Sequence, residues 1–348
     1  MRLDQGQVAW AIPALAFWVL TRCSAVRFNG LLYASIRIPP INRWAIIIRR
    51  RCRLLGKAAM PVSNPKNGDN QAEEVLREWR ENAFYWQKHR DPIRTMFAPV
   101  TQALIDAAGI VPGQSVLDVA GGSGEPSLTI AEKVGPTGSV LCSDVVAEMV
   151  RGAQSEAQRL GLTNIQFRQC AADSLPFEND SFDVVVCRLG AMFFPDPLAG
   201  LREMLRVTKP SGVIALAVWG RSELNPFFSL SNEALEQHLA ASTPADPDAP
   251  GAFRFAEPGN LARILQQAGA IEVREHPLEF QIVVRFTPKE FWEMRSETSG
   301  TLREKLATLS QEQRDLVAQE VEEAATRFLS DNQMSLPANV IIVTGRKA

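Results

Sequence analysis

Between residues 115 and 219 the chain alternates short, almost unbroken apolar runs with segments whose apolar residues recur at helical spacing. This alternation restricts the fold more than any other property of the sequence. The runs at 115–119, 139–143, 165–170, 182–187 and 213–219 have the length of buried strands, and the segments at 126–134, 147–160 and 197–207 read as helices. A strand that is apolar at successive positions must be covered on both faces. A parallel sheet with helical crossovers meets that demand, whereas a hairpin meander leaves one face wet. Right-handed crossovers then lead to a doubly wound, Rossmann-like α/β sheet.

On the N-terminal side, Asn70 stands three residues before Glu73 in the form of a capping box, and Leu76, Trp79, Ala83 and Trp86 follow at helical spacing, predicting a helix over 71–88. A second helix over 94–108 stops at Gly109, which suits a left-handed C-cap. Beyond Trp219 come a helix at 229–240, a Pro- and Asp-rich surface loop at 242–250, a helix at 259–268 and a strand-rich stretch at 271–285. A helical block at 288–329 and a β-branched strand at 339–344 follow. The expected organisation is an extension over 1–59, cap helices over 60–112, an α/β core over 113–220 and a completion of the sheet over 221–348. Within the last part the block at 288–329, with Phe291, Trp292 and Met294 near its start, reads as an inserted lid that selects the substrate.

The net charge of −2 hides an asymmetry: residues 1–59 carry nine arginines and Lys57 against Asp4 alone, which leaves the remainder strongly acidic. An acidic body lacks the basic face that displaces counterions from phosphates, so a small-molecule partner is expected and nucleic acid is not. In the extension, the apolar run 8–20 contains Pro13 and is short for a membrane span. It has the length of a signal core, with Cys23-Ser24-Ala25 behind it, and Arg49-Arg50-Arg51 suits a membrane surface or a transit peptide. The other reading is that Met60 is the true start and the extension lies outside the fold. Membrane contact is therefore expected only through 1–59, and the body is expected in the cytoplasm. Cys142, Cys170 and Cys187 fall in or beside apolar runs, as reduced buried thiols would; with Cys23 and Cys52 they form no metal-ligand spacing.

The segment 116–126, VLDVAGGSGEP, is an apolar strand ending in Asp118, then a turn with Gly121, Gly122 and Gly124, then Pro126 placed to start a helix. Such a turn admits left-handed backbone and close approach of a ligand, and the helix behind it offers free N–H groups to an anion. Asp144 follows twenty residues after Gly124 at the end of the second run, where a carboxylate can accept the hydroxyl protons of a ribose. These features predict an adenosine-containing cofactor. Ser127 stands where a dinucleotide fingerprint has its last glycine. The carboxylate of Asp118 would repel a pyrophosphate but suits an ammonium.

Together with ADSLPFENDSFDVVVCR at 172–188 and LREMLRVTKPSG at 201–212, this motif resembles the class I S-adenosylmethionine-dependent methyltransferases, and within them the ubiquinone/menaquinone type. The resemblance covers residues 98–219. It departs from the family pattern at Ala120, where the loop usually has its first glycine, and at Ser211. It implies S-adenosyl-L-methionine as cofactor, with Asp118 and the backbone of Ala120, Gly121, Gly122 and Gly124 at the methionine end. It also implies Asp144, beside Val145, on the ribose, Asp173 and Ser174 on the adenine, and Arg188 with Leu189 beside the sulfonium. Asp183 reads as a structural turn residue.

Methyl transfer is an in-line displacement that needs alignment and exclusion of water, and a base only when the nucleophile must lose a proton. His89, at the end of the first helix, is the candidate base, against the alternative of a solvated basic helix end. The aromatic residues Trp79, Phe84, Trp86, Phe97, Phe193 and Phe194 either line a flat apolar slot for a quinone-like or phenolic acceptor or belong to the core. The alternatives to a methyltransferase are an NAD-dependent oxidoreductase and a non-catalytic cofactor-binding protein of the same fold. No metal is expected.

Overall fold

The centre of the sheet is β1 (Ser115–Val119), which pairs in parallel with β2 (Ser139–Asp144) on one side and β4 (Phe182–Arg188) on the other. The parallel set is completed by β3 (Ile165–Gln169) beside β2 and β5 (Thr208–Trp219) beside β4. Two long strands, β6 (Ile271–Val284) and β8 (Gln333–Arg346), extend it, with β8 antiparallel to both β5 and β6, and a short β7 (Leu329–Ser330) pairs with β8. The order is β3-β2-β1-β4-β5-β8-β6. Strand order reverses between β1 and β4, so a crevice opens at their C-terminal ends, the place where open α/β sheets hold ligands. The computed structural model describes residues 65–239 and 246–348; the expected extension over 1–59, with Cys23 and Cys52, lies outside the described residues.

Ten helices are described: α1 (Pro65–Lys88), α2 (Arg90–Ala108), α3 (Ser127–Val134), α4 (Ala147–Leu160), α5 (Pro197–Val207), α6 (Pro226–Glu236), α7 (Asn260–Ala268), α8 (Pro288–Thr298), α9 (Gly300–Ala307) and α10 (Gln311–Thr326). Consecutive buried residues in β1, β4, β5 and β8 show the two-sided covering that their apolar runs require. Gly109 ends α2 in the left-handed conformation, with its N–H bonded to Asp106 O, as expected. None of the helices among the described residues is long and apolar enough to cross a membrane.

Several boundaries differ from the sequence reading, among them the start of α2 at Arg90 and the span of α6, and three have a direct local cause. α1 begins at Pro65, so Asn70 lies inside the helix and not at its N-terminus. β5 begins at Thr208, because Lys209 to Gly212 continue the strand without an apolar side-chain pattern. β8 begins at Gln333 because Asp331 and Asn332, both at positive φ, form a two-residue turn that folds β7 onto it. β6 runs unbroken through Pro277. That is tolerable on an edge strand, where a missing N–H forfeits nothing on the open side.

The expected insertion, 288–329, is three capped helices between β6 and the β7–β8 hairpin. Thr287 with Glu290 and Ser310 with Gln313 form capping boxes, and Ser299 caps α9. This block backs α1. The Trp86 indole N–H donates to Thr298 O at 3.1 Å, and Arg303 donates to Asn82 Oδ1 at 2.5 Å. α1 in turn docks on the start of α4, burying Ala83 against Val146 and Met149. It comes so close that a Cβ at Gly152 would lie 2.8 Å from Gln87 Cδ, while the Gln87 amide donates to Glu148 O at 2.9 Å.

The junction of β5, β8 and α6 is tied by Asn225, which is fully buried: its amide donates to Arg221 O at 2.8 Å and to Asn339 O at 3.1 Å, and its carbonyl accepts from Asn339 N–H at 2.9 Å. Removing it takes the side-chain acceptor from the buried Asn339 N–H and one donor each from Arg221 O and Asn339 O, which keep Leu224 N–H and Gly220 N–H. Asn225→Ala is expected to lower unfolding free energy by about 1–3 kcal/mol. Urea denaturation at unchanged m-value checks this, and a loss below about half a kcal/mol would show that water replaces the side chain.

Candidate functional site

The turn that follows β1 is shaped by what lies beneath it. Asp118, at 0% exposure, accepts a hydrogen bond from Ser127 Oγ at 2.5 Å, which fastens the first turn of α3 to the end of β1. A Cβ at Gly121 would stand 2.7 Å from both Asp118 Oδ2 and Cys142 Sγ, so only glycine fits there. Ala120, Gly122 and Gly124 take φ of 58°, 55° and 120°. The first is a strained conformation for alanine, which explains the family's usual glycine at that place. With the chain so folded, Gly122 N–H donates to Asp144 Oδ2 at 3.0 Å, while Val146 N–H donates to Asp144 Oδ1 at 2.9 Å.

Over this turn lies a cavity of about 370 Å³. Its floor is residues 119–123 with Glu125, Asp144, Val145, residues 170–173 and Arg188 to Gly190. Its roof comes from α1, through Leu76, Trp79 and Trp86, and from α2, through Arg90, Ile93, Arg94 and Phe97; Phe193 to Asp196 close one side. The structure thus brings Ala120, Gly121, Gly122, Asp144, Val145, Asp173 and Arg188 together around one space.

Other expected residues are elsewhere. Asp118 is sealed under the loop, Gly124 packs on Leu128, and exposed Ser174 does not reach the cavity wall. The candidate base His89 points away from the cavity: its Nε2 lies 2.5 Å from Glu297 Oε2, where with Lys88 it joins the α1–α2 corner to α8. No residue of 288–329 lines the cavity, and Phe291 and Met294 are core, so the block is a buttress and α1 is the cover. Of the six singled-out aromatics, Phe84 is 70% exposed and the other five line the cavity. Asp183 is structural as expected, accepting from Ser115 N–H at 2.8 Å and pairing with Lys209 at 2.7 Å. Among the described residues no group of His, Cys, Asp and Glu is placed to hold a metal ion.

Where Asp118 is sealed away, Glu125 of the same motif faces the cavity with its side chain 8% exposed; it lies 3.0 Å from Arg94 Nε and accepts from Thr129 Oγ1 at 2.8 Å. It stood unread inside the glycine motif, where its proximity to the loop was the available signal. Arg90 pairs with Glu156 at 2.8 Å. Arg188 donates to Thr101 Oγ1 at 2.7 Å, and its Nε is buried without a partner. Burial pulls the Arg188 guanidinium pKa down, and Glu125 and Asp118 act in the opposite direction.

Burial raises Asp118 to about 7, against the pull of Ser127 and Arg188, and raises Asp144 to about 6 against three backbone N–H groups. The folded protein therefore holds protons that the unfolded chain releases near pH 4, so the stability these carboxyls lend is full below that point and lost as pH rises through about 6 to 7. In urea midpoints measured from pH 4 to pH 8, Asp118→Asn should gain on the wild type as pH rises; parallel profiles would show that Asp118 does not titrate there. Ala120→Gly, which relieves the left-handed alanine, should raise stability by about 1 kcal/mol in the same assay, and a decrease would contradict the strain.

A family profile described as "Methyltransferase domain" matches residues 110–269. An uncharacterised protein of Mycobacterium tuberculosis H37Rv is 43% identical over 124 residues, 36% of this chain and 44% of that protein. Nocamycin O-methyltransferase of Saccharothrix syringae is 33% identical over 188 residues, 51% of this chain and 67% of that enzyme. A ubiquinone/menaquinone biosynthesis C-methyltransferase of Pasteurella multocida is 33% identical over 129 residues, 37% of this chain and 48% of that enzyme. Against the mycobacterial and quinone relatives the chain spans about half of their length. With its sheet order, its glycine turn and Asp144 at the end of β2, the chain belongs to the class I S-adenosylmethionine-dependent methyltransferases, in the group that includes the ubiquinone/menaquinone C-methyltransferases.

Proposed function

We propose that the protein transfers the methyl group of S-adenosylmethionine to a small, flat, largely apolar acceptor of quinone-like or phenolic type. The observation that carries this reading is the sharing of one cavity by Asp144, the glycine turn and an aromatic wall in which Trp79 meets Phe193 edge-on at 4.9 Å between ring centroids. Family membership removes the ground for the NAD-dependent alternative.

The residues present fit the cofactor. Gly122 has open space where a Cβ would be, and each Asp144 oxygen keeps a lone pair beyond its backbone bond for a ribose hydroxyl. Asp173, with Ala172 beside it, borders the place for the adenine. For the methionine end, Glu125 replaces Asp118 as the carboxylate that meets the ammonium, because it lines the cavity and its Oε1, though 3.0 Å from Arg94 Nε, accepts no aligned hydrogen bond, and Arg94 beside it suits the carboxylate. Bound there, the cofactor supplies a methyl group on a positive sulfur that is already a good leaving group. The chain's own part is alignment by the turn and exclusion of water by Trp79, Trp86 and Phe193.

Calorimetric titration with S-adenosylhomocysteine, 5′-methylthioadenosine and NAD tests the assignment. S-adenosylhomocysteine should bind the wild type, and Asp144→Ala should weaken it by about ten- to a hundredfold, the loss of hydrogen bonds to a charged acceptor. Glu125→Gln should narrow the preference over 5′-methylthioadenosine, which lacks the amino-acid end. Binding of NAD in place of S-adenosylhomocysteine would overturn the reading.

A further inference from the structure

Three guanidinium groups line the cavity, and they differ in what neutralises them. Arg94 has Glu125 and Arg90 has Glu156, each within 4 Å. Arg188 is the member of this trio with no carboxylate at ion-pairing distance among the described residues. Its recorded partner is the neutral Thr101 hydroxyl, and its Nε is buried and unpartnered. A half-buried cation whose Nε is sealed without a partner is costly unless an anion completes it.

The resemblance to known methyltransferases places Arg188 beside the sulfonium as a cofactor contact, but two positive charges side by side in a water-poor cavity repel each other. An anion between them removes the conflict. We propose that this anion is the acceptor itself: an aromatic or enolic compound with an acidic hydroxyl, bound as the oxyanion against Arg188, its ring against Trp79 and Phe193. The inference rests on the cofactor placement proposed above.

This assignment also answers how an acceptor is deprotonated once His89 is turned away toward Glu297. Among the described residues no histidine, lysine or tyrosine lines the cavity; the other ionisable groups on its wall are the carboxyls of Glu73, Glu125, Asp144, Asp173 and Asp196, the Cys170 thiol and the three arginines. A guanidinium within hydrogen-bonding reach lowers the pKa of a bound hydroxyl by favouring its ionised form, so the proton passes to water as the acceptor binds. In the transfer an electron pair of the oxyanion, or of its conjugated ring carbon, forms the new bond to the methyl carbon. The sulfur–methyl bond breaks with its pair returning to sulfur; a ring carbon so methylated then loses its own proton to water while the ring oxygen takes one back, restoring the hydroxyl. Anion and sulfonium become two neutral products, and charge annihilation of this kind is favoured where water is excluded.

The test uses 4-nitrophenol, whose visible absorption reports its ionised form, added to the full chain saturated with S-adenosylhomocysteine so that no turnover occurs. The bound probe should ionise about one pH unit or more below the free compound, a tenfold preference for the anion. Arg188→Met should abolish that preference and Arg188→Lys retain part of it, while 4-nitroanisole, which cannot ionise, binds all three alike and the affinity for S-adenosylhomocysteine stays unchanged. The proposal is overturned if the wild type shows no preference for the anion, or if the preference survives in Arg188→Met. It is equally overturned if Arg188→Met loses S-adenosylhomocysteine, which would return Arg188 to the cofactor. Should Arg188→Met fail to fold, the wild-type ionisation and its weakening in Arg188→Lys decide alone. Failure of the wild type to bind S-adenosylhomocysteine is a separate outcome that removes the cofactor reading and this inference with it.

Discussion

A hydrogen bond that never meets solvent, from the Ser127 hydroxyl to the Asp118 carboxylate, governs the geometry of the ligand end of the sheet. It costs the protein a buried acid, visible in a carboxyl raised to about 7 by desolvation. In return it fixes where α3 begins relative to the end of β1, and so how sharply the intervening chain must turn. The turn leaves no room for a side chain at 121 and forces left-handed backbone at 120, 122 and 124. Gly122 then presents its N–H to Asp144 on the neighbouring strand. One buried contact thereby relates α3, β1 and β2, and the cavity floor is the surface they share.

The cover of that cavity is held less directly. α1 makes its closest approach to the body over Gly152, and it is supported from behind by Thr298, Glu297 and Arg303 of the block inserted between β6 and the β7–β8 hairpin. The block thus acts on the cavity through α1. Changes in α8 or α9 would be felt at Trp79 and Trp86 as shifts of a helix, since no side chain of the block reaches the cavity itself.

What the sequence makes legible follows from which physical signal each element carries. The parallel strands announce themselves because two-sided burial demands apolar residues in succession, and β1, α4 and α5 appear with the bounds expected of them. The first half of β8 carries no such signal: Gln333 and Ser335 are held by backbone pairing across the Asp331–Asn332 turn, and pairing is invisible in residue type. The same limit applies to side-chain direction. Asp118 and Glu125 are both acids beside the glycine turn, and only the fold reveals that the first points down into the core and the second out into the cavity. His89 was attractive as the histidine nearest the expected site, but sequence distance says nothing about the Glu297 that holds it, 208 positions away.

The charges around the cavity also bear on how the proposed methyl transfer would proceed without a side-chain base. Glu125 balances Arg94, and Asp144 is saturated by backbone donors on the side away from the ligand. In the proposed reaction neither would take a proton from an acceptor without losing a contact assigned to the cofactor. Unless one of the other wall carboxylates, Glu73, Asp173 or Asp196, takes the proton, the acceptor arrives already ionised, is made ionised by a neighbouring cation, or offers a nucleophile with no proton to lose. Arg188, half-buried at the end of β4 where the sheet order reverses, would make the second route available under the proposed placement of the acceptor.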